Sequence, residues 1–105
     1  MKHVARNQIG EALKLARNAK NLSQEAFSLV SSRTYVSTLE RGLKSPTLTK
    51  IEDLASVLQI HPLTLLTMAY MDSTSEGAAA NLHSKVDADL ATIFGNLAPI
   101  TSSKK

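Results

Sequence analysis

The sequence contains no cysteine. This excludes a disulfide framework, a thiol nucleophile and any cysteine-ligated zinc or iron–sulfur centre, and it fits a reducing compartment. No run of eighteen apolar residues occurs, so no membrane-spanning helix is expected. The opening Met1-Lys2-His3-Val4-Ala5-Arg6 lacks the apolar block of a secretion signal. There is no glycine-rich phosphate loop, no internal repeat and no extended low-complexity tract. His3, His61 and His83 lie far apart with no ligand spacing, so no metal is expected. Nothing sets a nucleophile elbow or a paired-carboxylate spacing, so neither enzyme activity nor a cofactor is expected.

What is present is enough for one small folded domain: 105 residues, 43% apolar and 20% charged. The charge is unevenly placed. Residues 1–50 carry nine Lys or Arg against three acids, a net +6, whereas residues 51–105 carry three Lys against six acids, a net −3. A basic half joined to an acidic half suggests that one end faces a polyanion.

Clusters of β-branched residues are few, and apolar residues recur at three- and four-residue spacings, so helices are expected throughout. Ile9, Ala12, Leu13, Ala16 and Ala19 predict a first helix over 7–20. Ser23 caps a short second helix with Ala26, Phe27 and Val30 on one side. Ser31-Ser32 makes a turn, and a third helix runs over 33–41 with Val36 and Leu39 inward. Gly42 stands where a left-handed cap belongs. Leu48, Ile51, Leu54, Ala55 and Leu58 form the stripe of a fourth helix, capped by Thr47 or by the box Thr49-Lys50-Ile51-Glu52. His61-Pro62 opens a fifth. After a polar link with a second capping box, Ser73-Thr74-Ser75-Glu76, an amphipathic helix is expected over 78–94.

The short link between the second and third helices forces a steep crossing, as in a helix-turn-helix. The outer side of the third helix offers Arg33, Thr34, Ser37, Thr38 and Arg41, a surface suited to the major groove. Free N–H groups at the starts of both helices suit phosphates.

The stretches Asn21-Leu22-Ser23-Gln24-Glu25, Arg33-Thr34-Tyr35-Val36-Ser37, Leu39-Glu40-Arg41-Gly42 and Ser45-Pro46-Thr47-Leu48 occur in that order. With Ile9-Gly10, Leu13, Ala16 and Arg17 before them and Leu54-Ala55-Ser56-Val57-Leu58 after, residues 9–66 resemble the Cro/cI-type (XRE) helix-turn-helix regulators. The resemblance implies an all-α, lambda-repressor-like bundle of five helices over 1–71. The rest, 72–105, would be a linker, the amphipathic helix and a tail. It implies double-stranded DNA as partner, a homodimer, and a cytoplasmic, nucleoid-associated protein of bacterial or phage origin. Carried over by position, Arg33, Thr34 and Thr38 would read bases. Ser23, Gln24, Ser32, Tyr35, Ser37, Arg41 and Lys44 would meet the phosphate backbone. Arg17 and Glu40 would form a structural ion pair between the first and third helices. Tyr35 has a second reading, with its ring simply packed on the domain. Lys2, Arg6, Lys14, Lys20 and Lys50 read as diffuse positive field rather than specific contacts.

The sequence departs from the family pattern between Gln24 and Tyr35, where it is about two residues short and lacks the usual turn glycine. Either the second helix loses half a turn or the turn is tighter. Beyond the bundle, Leu82, Val86, Leu90, Ile93 and Phe94 form an apolar stripe continued by Leu97. It serves either as a sixth core helix or, as favoured here, as a dimer interface. An alternative function is a small antitoxin-like or adaptor module that binds another protein, with DNA binding secondary.

Overall fold

The computed structural model describes residues 8–96, and all of their regular structure is helical. The chain divides into two compact units that part between Asp72 and Ser73. In the first, α1 (Ile9–Ala19), a single 3-10 turn (Gln24–Phe27), α2 (Arg33–Glu40), α3 (Leu48–Leu58) and α4 (Pro62–Tyr70) surround one core. In the second, α5 spans Ala78–Gly95. The continuation of its stripe at Leu97, and the basic residues Lys2 and Arg6, lie outside the described residues.

The inward residues follow the helical spacing. Ala12, Leu13 and Ala16 of α1 meet Val36 and Leu39 of α2, Ile51, Leu54 and Leu58 of α3, and Leu65 and Ala69 of α4. Phe27 is fully buried and plugs the centre from the 3-10 turn. Ala19 and Ala26, expected on inner faces, are exposed; Ala19 is the last residue of α1, and on the 3-10 turn Phe27 alone points into the core.

Local chemistry sets most of the ends. Ser32 caps α2, its hydroxyl accepting the Tyr35 amide at 3.0 Å. Thr47, not the Thr49 box, caps α3 through the Lys50 amide at 3.0 Å. His61 Nδ1 accepts the Leu63 amide at the start of α4, with Pro62 in the first turn. Helix α2 ends on Gly42 at φ 77°. There the Gly42 amide bonds the Leu39 carbonyl and the Leu43 amide the Thr38 carbonyl, the two closures of a Schellman end.

Ser23 stands at the N-cap of the 3-10 turn but its side chain makes no capping hydrogen bond, and the second element and the start of α5 also depart from the expected helices. The second helix is one 3-10 turn of four residues, so the missing length is taken from the helix itself. The box Ser73–Glu76 does not cap α5. The Ser73 hydroxyl instead lies 2.6 Å from that of Ser75, and Gly77, at φ 90°, begins the helix.

Candidate nucleic-acid interface

Helix α2 has two unlike sides. Val36 and Leu39 are sealed in the core, while Arg33, Thr34 and the capping Arg41 are exposed. Ser37 and Thr38 are half-buried on the same outer flank. Thr38 Oγ1 donates to the Thr34 carbonyl at 2.8 Å. Its proton is therefore spent within the helix, and the residue offers outward lone pairs and a methyl group, which suit a base amino group or the thymine methyl. Arg41 Nε makes only a long bond, 3.4 Å, to the Ser37 carbonyl, leaving its terminal nitrogens to meet an anion. Lys44 is exposed in the loop after α2.

Arg33 is 68% exposed and lies 3.7 Å from Glu25, itself 71% exposed, on the 3-10 turn. A pair so open to water holds the guanidinium weakly. Both residues line a cleft of about 280 Å³ together with Arg17, Ser23 and Gln24. The shortened second element thus still brings Ser23 and Gln24 beside the first turn of α2. Ser32 spends its acceptor on the cap, keeping its hydroxyl proton for a phosphate. Tyr35 is half-buried and packs against the core.

Behind this surface lies the ion pair between α1 and α2. Arg17 Nε and Nη2 donate to the Glu40 carboxylate at 2.6 and 3.0 Å, and Arg17 Nη1 donates to the Leu22 carbonyl at 2.9 Å. The two side chains are only 12% and 4% exposed. Gln24 Nε2 also donates to Glu40, at 3.0 Å, a tie that sequence reasoning missed. The residue expected to meet phosphate is thus also a member of the internal network, with one amide proton left for DNA. Burial by itself raises the Glu40 pKa, but hydrogen bonds from Arg17 and Gln24, with the charges of Arg17 and Lys14, outweigh it and hold the group below the usual carboxylate range. The hydrogen bond to Glu40 raises the Arg17 pKa against its own burial. Among the described residues, no three His, Asp or Glu side chains gather closely enough to hold a metal ion. Nor is any helix there long and apolar enough to cross a membrane.

Residues 13–65 match the family described as Helix-turn-helix. No curated protein sequence matches the chain. Among solved structures, it is similar to the restriction-modification controller protein C.AhdI from Aeromonas hydrophila. The two are 38% identical over 55% of this chain and 91% of that one, with a TM-score of 0.52. The chain belongs to the XRE-type helix-turn-helix family and is a DNA-binding transcriptional regulator.

Proposed function

We propose that the protein is a sequence-specific repressor that binds an inverted-repeat operator as a dimer, with α2 of each subunit in the major groove. The observation that carries this reading is the division of α2 into a buried apolar side and an open side bearing Arg33, Thr34 and Thr38. Arg33 reads guanine through paired donors, and the two threonines read neighbouring bases. Ser23, Gln24, Ser32, Ser37, Arg41, Lys44 and the Tyr35 hydroxyl hold the phosphates and supply most of the salt-sensitive affinity. The second copy is held through α5, whose Val86, Leu90, Ile93 and Phe94 are exposed. Two-fold symmetry then sets the half-site centres about 34 Å apart. Repression follows from occupying a promoter. The likeness to a restriction-modification controller supports a regulator of this small size.

Selection of bound duplexes from a random pool tests the proposal. An inverted repeat should emerge, and Arg33→Ala should narrow the gap between that site and random DNA by about 1–3 kcal/mol. Lys44→Ala should weaken both alike and reduce the salt slope by about one. A pool that enriches nothing would defeat the reading and favour a protein-binding module, to which the exposed face of α5 is equally suited.

A further inference from the structure

Residues 28–32 join the 3-10 turn to α2 and reverse the chain without a glycine. Their hydrogen bonds show how this is done. The amides of Val30 and Ser31 converge on the Phe27 carbonyl at 2.9 and 2.8 Å. The Ser32 carbonyl accepts the Val36 amide, and its hydroxyl accepts that of Tyr35. The Val30 carbonyl takes its bond from a different helix, where Lys50 Nζ on α3 donates to it at 2.5 Å. The same ammonium stands 5.8 Å from the centre of the Tyr35 ring. The Ser31 hydroxyl is buried without a partner among the described residues, so the turn has little hydrogen bonding in reserve. One half-buried cation is therefore fastened to the chain just before α2 and to a residue in its first turn.

We propose that Lys50 is a positioning residue for base reading. It sets the angle at which α2 leaves the turn, and so the register of Arg33 and Thr34 against the bases. This rests on the DNA-reading function proposed above. A charged hydrogen bond to a half-buried carbonyl is short and strong, and a cation over a ring adds to it. No residue of the turn lies in the left-handed region that would call for a glycine, and its path is held by these contacts instead. Base-reading geometry tolerates errors of only about half an ångström, so losing this brace harms reading before it harms folding.

The test compares wild-type protein with Lys50→Met and Lys50→Arg, on the duplex that wild type enriches and on random duplex, across a salt series. Lys50→Met keeps the stem and loses the donor and charge. Its affinity for the enriched site should fall about tenfold, the scale of one base contact. Random-duplex affinity should stay within about twofold and the salt slope should be unchanged. Lys50→Arg, which keeps a donor and the ring contact, should retain the preference. The proposal is overturned if Lys50→Met keeps the preference, or if Lys50→Arg loses it as fully. An equal loss on both duplexes with a slope reduced by about one also overturns it, because Lys50 would then be a plain phosphate contact. A wild-type protein that enriches no duplex defeats the DNA-reading function itself, and this inference with it.

Discussion

Glu40 shows how a single carboxylate couples stability to orientation. Its folded pKa lies below the ordinary value, so it binds protons less readily folded than unfolded. The stabilisation it provides is complete above the ordinary Glu value of about 4.3 and is lost as pH falls from there through the lower folded value. Melting followed from pH 7 to pH 3 should show this acid weakening, and the Arg17→Met/Glu40→Leu variant should lack that component. Arg17→Met alone should cost about 3 kcal/mol by denaturant titration, because it strands a buried charge, and the double variant should recover most of the loss. An Arg17→Met protein as stable as wild type would mean that the pair does not hold α1 to α2. The pairing of Arg17 with Glu40 was legible from the resemblance. The share taken by Gln24 was not, since side chains 16 residues apart are brought together only by tertiary packing.

At the level of elements, the cap of α2 lies open to solvent. Ser32→Ala removes the acceptor of the Tyr35 amide and should lower stability by about 1 kcal/mol in chemical denaturation. Ser32→Asp keeps the cap and favours the helix dipole, yet sets an anion against the phosphates. It should leave stability intact and weaken binding to every duplex, and unchanged binding would place Ser32 away from the backbone. Much of this element was readable in advance. Val36 and Leu39 declared the inner side, Ser32 and Gly42 the ends, because caps and stripes depend on neighbours three or four residues away. The second helix was less legible. Its single 3-10 turn sets Phe27 fully into the core, and the chain just after it is met by Lys50 from another helix at the Val30 carbonyl, contacts between residues far apart in sequence. The start of α5 was also misread, because Ser73 and Ser75 satisfy one another before either can cap.

For the whole molecule, the basic half carries α1, α2 and the proposed reading surface, and the acidic half includes α5. The dimer proposed above rests on the exposed apolar residues of α5. Leu90→Asp with Ile93→Asp should yield monomers in sedimentation at micromolar concentrations, while the melting of the first unit stays unchanged. The same variant should bind a half-site but lose the avidity of the full repeat. A variant that remains dimeric would move the contact elsewhere. Any side chain at Gly10 would collide with the carbonyl oxygen of Leu39 and crowd that of Glu40, so α1 lies against the very backbone that ends α2. That close fit makes the probe helix a stiff stylus, with little give at its far end. In the proposed complex more of the compliance would then come from the duplex. Sites with easily deformed pyrimidine–purine steps would be favoured even where no side chain reaches them.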